Sequence, residues 1–405
     1  MVAHHRRLGR RPEGGEWLGE VLAKSGLRGR GGAGFPTSRK WAAVGARSDG
    51  RSVVVINASE GEPLSAKDRT LLGLRPHLVL DGAALAAETV DAREIILYVS
   101  AWSRSTAQAV AQALRDRRRA GLPEPPIRIV QTSHRYISGE SSAVVQRISG
   151  GPAKPMFTPP HSFERGVNGQ PTLIHNVETL AHVALIARYG SDWFRELGTE
   201  DSAGSSLMTL SGNIRYPGVY EVDLGTRLGS VLEAAGGTTS PAGGALLGGY
   251  FGTWLPAGPL EDVPLDSERL RTIHGAAIGC GVLAVLPDGG CGVTEAARIL
   301  TYLAAETAGQ CGPCVNGLAA LSKTMARIAA SDAVPTDLDR VRRWAGMVSG
   351  RGACHHPDGA VGQLASALVV FADHVAEHLR GEECRGRRVV GFPAPPVRGR
   401  WWGWR

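Results

Sequence analysis

The chain has 405 residues, of which 43% are hydrophobic, and this length suggests two or three domains rather than one core. Its net charge of +7 is carried almost wholly by arginine, and no helix bears a clustered Lys/Arg stripe with interleaved aromatics, which argues against a nucleic-acid partner. No run of about 18 apolar residues occurs, which excludes a transmembrane helix of ordinary type, and the basic opening MVAHHRRLGRR lacks the apolar segment of a secretory signal, so the expected location is the cytoplasm.

In chain order, residues 52–133 alternate strand and helix. Strands are expected at 52–59 (SVVVINAS), 94–100 (EIILYVS) and 127–132, with helices at 77–91 and 105–120. The run Arg117-Arg118-Arg119 sits at a helix end, where cations suit the dipole. A further helix is expected at 172–189. Alternation of this kind predicts a parallel sheet covered by helices, spanning residues 1–200. A small polar linker at 201–205 follows. Residues 206–287 then read as short strands broken by Gly and Pro around one short helix, a mixed α+β unit. From residue 290 to 384 the pattern is helical, near 293–308, 313–330, 336–349 and 358–380, which predicts a small bundle. Residues 385–405 are rich in Pro, Arg and Trp, including Trp401, Trp402 and Trp404, and read as an extended tail. His4 and His5 read as part of a disordered end rather than ligands, and Cys280 as a core residue in a strand.

Five segments carry candidate chemistry. The first, Gly26 to Trp41, contains Gly29-x-Gly31-x-x-Gly34 and Lys40; glycines let a backbone approach a phosphate and aim N–H groups at it. This run does not follow a strand, so it is not the usual dinucleotide fingerprint, and by itself it also fits a flexible loop. The second, Asn57-Ala-Ser-Glu60-Gly-Glu62-Pro63 with Lys67-Asp68-Arg69, lies directly after a strand, where ligands of α/β sheets bind. The third is Tyr136-Ile-Ser-Gly139-Glu140-Ser141. The fourth is Gly166-Val-Asn-Gly-Gln-Pro171, leading into Thr172-Leu-Ile-His-Asn176-Val-Glu-Thr179 at an expected helix start. Four such loops at one sheet edge point to a shared phosphate-bearing ligand. The fifth is Gly309-Gln-Cys311-Gly-Pro-Cys314 with Cys354 forty positions later. That spacing suits iron–sulfur or zinc ligation, one thiolate short of a full set, and also suits reduced buried cysteines.

In these residues the chain resembles the flavin- and NADH-binding subunit of respiratory complex I and its relatives in soluble NAD(P)H oxidoreductases. GLRGRGGAGFPT, N-A-x-E-G-E-P with KDR, YI-x-GE, PPH, NGQPT, NVETL and GQC-x-PC occur in the same order from about Gly26 to Cys354. The resemblance implies an α/β, FMN-binding parallel-sheet domain, then a ubiquitin-like (β-grasp) soluble-ligand-binding domain, then a C-terminal helical bundle of iron–sulfur type. It implies oxidation of NADH or NADPH through FMN, with electrons passed through an iron–sulfur cluster to a thioredoxin-like [2Fe–2S] subunit or ferredoxin-type partner, without a membrane span but in association with a larger, sometimes membrane-bound, complex. By position, Gly29, Gly31, Gly34, Lys40, Asn57, Glu60, Gly139, Glu140 and Asn176 match flavin-contacting residues of the family. Phe35 and Glu62 match NADH-contacting ones. Cys311, Cys314 and Cys354 match ligands of a [4Fe–4S] cluster.

The chain also departs from the family pattern. Ser59, Ser141 and His175 replace an Asp, a Glu and an Asn, while Ala43 and His161 stand where adenine-stacking phenylalanines occur. Loss of a carboxylate at Ser141 weakens discrimination against a 2′-phosphate, and so against NADPH. Ala308 stands at the first cluster cysteine. Three outcomes stay open: a fourth ligand from His355, His356, Cys291 or Cys384; an open-iron or [3Fe–4S] cluster; or no cluster. The alternative function is a flavin- or nucleotide-binding scaffold that has lost hydride transfer.

Overall fold

The computed structural model describes residues 1–100, 104–382, 384, 392 and 393. Its described residues divide into two compact units, one holding Met1–Gly61 and Ala66–Leu207, the other Glu62–Ser65 and the described residues from Met208 to Pro393.

The first unit is built on a four-stranded, wholly parallel sheet of order β3-β2-β1-β4: β1 (Ser52–Ala58), β2 (Ala92–Ser100), β3 (Ile127–Thr132) and β4 (Thr172–Asn176). The continuous apolar run of β1 reflects burial on both faces. Val54 and Ile56 pack under the helices Pro76–Thr89 and Val177–Arg195, while Val53 and Val55 pack with Val144, Val145 and Ile148 of the helix Ser141–Ile148. The structure corrects the expectation of one helix over 172–189. Residues 172–176 form a strand, and the helix starts only at Val177, with the Asn176 side chain accepting the Glu178 N–H. Four buried residues and a half-buried Asn176 flush against an apolar helix carry no periodicity that separates the two; only pairing with β1 does so.

Two other expectations change through one buried ion cluster. Arg117 sits in the last turn of the helix Arg104–Arg119 as expected, but its role goes beyond the helix dipole. It is fully buried, 2.7 Å from Asp81 and 2.6 Å from Glu124. His4 is ordered in the helix Val2–Leu8, with Nε2 2.9 Å from Asp81, which also pairs with Arg188. Burial pushes the Asp81 carboxyl up, but His4 and the two guanidinium groups outweigh it and hold it well below the usual carboxylate range. The N-terminal helix is thereby fastened to the first unit.

The second unit contains a five-stranded mixed sheet of order β6-β5-β9-β7-β8, from β5 (Ser205–Gly212), β6 (Gly218–Asp223), β7 (Ala242–Leu247), β8 (Thr253–Leu255) and β9 (Val282–Pro287). β5 and β9 run parallel, and β7 is antiparallel to both β8 and β9. Cys280 lies in the turn before β9 rather than in a strand, with its thiol donating to Gly248 O at 3.1 Å. Beyond β9 the chain is helical: Gly292–Ala305, Pro313–Leu318, Ala319–Ala329, Asp337–Val348, His356–Val370 and Ala372–Leu379. The helix expected over 358–380 is two helices bent by 84°. The break falls at Phe371, which leaves helical geometry (φ −108°, ψ 34°) as its buried ring meets Trp254 at 4.9 Å and covers Gly292. No single helix among the described residues is long and apolar enough to cross a membrane. The tail expected at 385–405, with its three tryptophans, lies outside the described residues apart from Phe392 and Pro393.

Candidate functional site

The strand order reverses between β1 and β4, and a crevice at such a switch point is where open α/β sheets bind ligands. Asn57 at the end of β1 and Asn176 at the end of β4 are direct neighbours in register. Three of the sequence motifs meet there. The Asn57 side chain donates to Gly139 O at 2.8 Å and accepts the Ser59 N–H at 3.2 Å. A Cβ on Gly61 would sit 2.5 Å from Tyr136 O, and one on Gly139 2.7 Å from Ser59 O, so these glycines let the second and third loops touch. A Cβ on Gly31 would sit 3.2 Å from that of Asn176, which brings the glycine-rich loop to the same strand ends. Arg30 anchors that loop: its N–H donates to Thr179 Oγ1 at 2.9 Å and its guanidinium to Ser205 O at 2.9 Å. Gly34 takes a positive φ of 60°, and Gly29 N–H donates to Phe35 O at 2.9 Å, leaving Phe35 about half exposed at the loop tip.

Beneath the loops lies a charge cluster that sequence reading did not assemble. The buried Lys67 ammonium is 2.8 Å from Asp68 Oδ1, 2.9 Å from Glu178 Oε2 and 3.2 Å from Asn176 Oδ1. Asn176 donates back to Asp68 Oδ2 at 2.6 Å, while His182 and Arg30 approach Glu178 at 3.7 and 3.9 Å. Burial disfavours charge throughout, yet Lys67, His182 and Arg30 hold the Glu178 carboxyl well below its usual range, and the two carboxylates keep Lys67 protonated. For Asp68, burial wins over the pull of Lys67 and pushes its carboxyl up to about 6. The Asn176 amide is thus committed to protein partners. So is Glu60, which accepts the Asp68 and Arg69 N–H groups at the start of the helix Lys67–Leu74, and so is Glu140, which accepts the Ser142 and Ala143 N–H groups of the helix that follows it.

Lys40 differs. Its partly buried ammonium donates to Ile174 O at 2.8 Å, burial pushes it down to about 8, and no carboxylate lies within ion-pair reach among the described residues. Beside it, His175 accepts the Trp41 indole N–H at 2.8 Å; burial and the Lys40 charge keep this imidazole neutral. The His175 departure from the family pattern is therefore a core contact. His161 stacks on Phe163 at 5.3 Å, with Arg47 over the Phe163 ring at 5.1 Å. Glu62 belongs to the second unit, where its carboxylate accepts the Tyr250 N–H at 2.8 Å and the Leu64 N–H at 3.1 Å.

In the second unit, Cys311 and Cys314 open the helical turn at Pro313–Leu318, and Cys354 precedes the helix His356–Val370. Burial pushes the Cys314 thiol up to about 12, and the neighbouring Cys311 and Cys354 reinforce this, so the three thiols share one locale. Ala308 is buried. The suggested fourth ligands fare unequally: the His355 side chain is fully exposed beside Asp358, and His356 is buried with Nε2 on Leu303 O at 2.8 Å. Cys291 and Cys384 instead gather with His378, a residue that sequence reading missed.

A parallel α/β sheet with glycine-rich loops at its switch point, followed by a cysteine-bearing helical region, defines the class of flavin and iron–sulfur electron-transfer subunits. The chain matches three family descriptions: the Nuo51 FMN-binding domain over residues 22–185, the SLBB domain over 207–248, and the NADH-ubiquinone oxidoreductase-F iron–sulfur binding region over 294–378. It is 33% identical over 377 residues to the second F-type subunit of the NADH-quinone oxidoreductase of Rhizobium meliloti, covering 90% of this chain and 89% of that protein. It is 32% identical over 404 residues to the F-type NADH-quinone oxidoreductase subunit of Streptomyces coelicolor, covering 93% and 88%. Among solved structures it is similar to a chain of an NAD+-reducing [NiFe]-hydrogenase in the H2-reduced state, with TM-score 0.84 and 31% identity over 91% of this chain; it spans only 63% of that chain. The chain belongs to the family of F-type NADH-quinone oxidoreductase subunits.

Proposed function

We propose that this chain is a flavoprotein subunit that oxidises NAD(P)H at FMN and delivers electrons to a partner redox protein. The observation that carries the reading is the convergence of the glycine-rich loop, the Asn57–Gly61 turn and the 136–140 turn on one switch point, beside the uncompensated Lys40 cation. An anion-bearing ligand fits that donor set, and an approach of backbone to ligand fits Gly29, Gly31 and Gly34. When bound, FMN supplies hydride acceptance and one-electron release.

The residues of this chain supply the rest. Lys40 neutralises ligand charge. Asn57, Glu60, Gly139, Glu140 and Asn176 shape the flavin pocket chiefly through fixed backbone geometry, because the side chains of Asn57, Glu60, Glu140 and Asn176 are already hydrogen-bonded within the protein. Phe35 offers its exposed ring to adenine, and Glu62 is the carboxylate matched to NADH contact. Ser141, exposed at its helix start, adds no carboxylate against a 2′-phosphate, so NADPH is accepted alongside NADH. Residues 206–287 form a β-grasp ligand-binding module, consistent with the SLBB match. The partner is a thioredoxin-like [2Fe–2S] subunit or a ferredoxin, in a cytoplasmic setting.

Cys311, Cys314 and Cys354 would hold three corners of a [4Fe–4S] cluster, and Ala308 leaves the fourth without a cysteine. A second reading, a flavin-binding scaffold without hydride transfer, is favoured by the replacements at Ser59, Ser141 and Ala308. Flavin content followed by anaerobic titration with each nicotinamide separates the two. Bleaching of bound flavin supports the oxidoreductase; bound flavin that neither nicotinamide reduces supports the scaffold; no flavin after reconstitution rejects both.

A further inference from the structure

Three buried groups converge in the second unit with no role in flavin chemistry. Cys291, His378 and Cys384 bring two sulfurs and an imidazole nitrogen within 4.8 Å of one another, and all three residues are less than 4% exposed. Cys291 Sγ lies 3.2 Å from His378 Nε2. Ligand atoms around one tetrahedral zinc ion stand roughly 3.3–3.8 Å apart, given Zn–S of about 2.3 Å and Zn–N of about 2.0 Å. The spacing therefore suits one ion. The thiols of a four-iron cluster, by contrast, bind separate iron corners.

The surroundings have the features a ligand set needs. His378 Nδ1 lies 3.0 Å from Ser331 Oγ, whose hydroxyl donates to Glu382 O at 3.3 Å; a proton on Nδ1 completes this chain and turns the Nε2 lone pair to the sulfur, as an outer hydrogen bond does for metal-bound histidine. Ser331 holds a positive φ of 57°, rare for a side-chain-bearing residue, to make this contact. Cys291 caps the helix Gly292–Ala305, and its sulfur accepts the Thr294 N–H at 3.4 Å, a setting that stabilises thiolate. His374 lies one turn before His378 on the same face of the helix Ala372–Leu379, and its buried Nδ1 has no hydrogen-bond partner among the described residues.

We propose that Cys291, His374, His378 and Cys384 bind a single zinc ion, a closed structural site distinct from the Cys311–Cys314–Cys354 locale. Two thiolates and two neutral imidazoles balance the charge of Zn2+, so the filled site can be buried without a net charge. The ion ties the chain at Cys384 to the start of the Gly292–Ala305 helix and to the last helix of the second unit, both of which contact the helices flanking the other three cysteines. Zinc binding at this site is independent of the flavin.

The test uses the full chain, purified without chelator or metal-affinity resin, with zinc and iron measured by mass spectrometry. Wild type is expected to carry about one zinc per chain. Cys384→Ser and His378→Ala are expected to lower retained zinc about tenfold or more while leaving iron unchanged, and Cys311→Ser to do the reverse. Zinc-edge X-ray absorption of the wild type, which needs no variant to fold, is expected to give a shell of two sulfurs and two nitrogens. The proposal is overturned by wild type that neither carries nor takes up zinc when reduced, by a zinc shell lacking sulfur, by a Cys291–Cys384 disulfide, or by zinc retained in both variants.

Discussion

Replacing Lys67 with methionine tests whether the charge cluster under the strand-end loops is a structural centre. In the wild type this ammonium is 2% exposed and bridges Asp68 at 2.8 Å and Glu178 at 2.9 Å, whose side chains are 8% and 1% exposed. Methionine matches the stem but removes the charge, leaving two buried carboxylates facing one another. Removing one partner of a buried pair costs about 3–5 kcal/mol, because the remaining carboxylates lose their nearest counter-ion without gaining water. In a unit of this size each kcal/mol moves the thermal midpoint by roughly 2–4 °C, so the unfolding transition of the first unit should drop by roughly 6–20 °C. Asn176, held by both Lys67 and Asp68, should shift with them, so flavin affinity should fall in parallel. Calorimetry of apo-protein and flavin titration measure the two effects. A midpoint within about 2 °C of wild type would show that water or a rearranged Arg30 already compensates these carboxylates, and Lys67 would then not be the keystone of the cluster.

Asp68 carries a pH signature. Its folded pKa rises from 3.8 to about 6, so the folded state holds the proton more tightly than the unfolded chain. Its contribution to stability is therefore greatest below 3.8 and declines as pH rises to about 6. Asp68→Asn should flatten urea-unfolding free energies across that window, and an unchanged profile would refute the assignment. Gly61→Ala places a Cβ 2.5 Å from Tyr136 O, forcing the two loops apart; a loss of about 1–3 kcal/mol and weakened flavin retention are expected, read by thermal shift and flavin fluorescence. Ala308→Cys supplies the missing thiolate in a buried position, and reconstituted protein should approach about four irons per chain, by iron and sulfide assay. Reconstituted variant and wild type that both lack iron count against a cluster there. Ser141→Glu should raise the NADH-over-NADPH ratio of kcat/KM about tenfold, or about 1.4 kcal/mol; an unchanged ratio removes Ser141 from nucleotide choice.

Much of the first unit was legible in sequence because its signals are local. Strands β1 to β3 declare themselves as apolar runs between turns, and the glycines of the first three motifs mark loops whose backbones must approach something closely. The C-x-x-C turn and the missing cysteine at Ala308 were equally plain. β4 was not, because five residues, four of them buried, next to a buried helix look the same in either conformation until a neighbouring strand pairs with them.

Sequence by itself determined which loops are glycine-bound, which strand ends carry polar turns, and the family to which their order belongs. Tertiary structure alone decided the partners. It buried Arg117 against Asp81, joined Lys67 to Glu178 across more than a hundred residues, broke the last long helix at Phe371, and set Cys291 beside His378 and Cys384. Periodicity reports only what a residue's near neighbours do, whereas ion pairs and ligand sets depend on distances between segments far apart in the chain, which exist only once the core has packed.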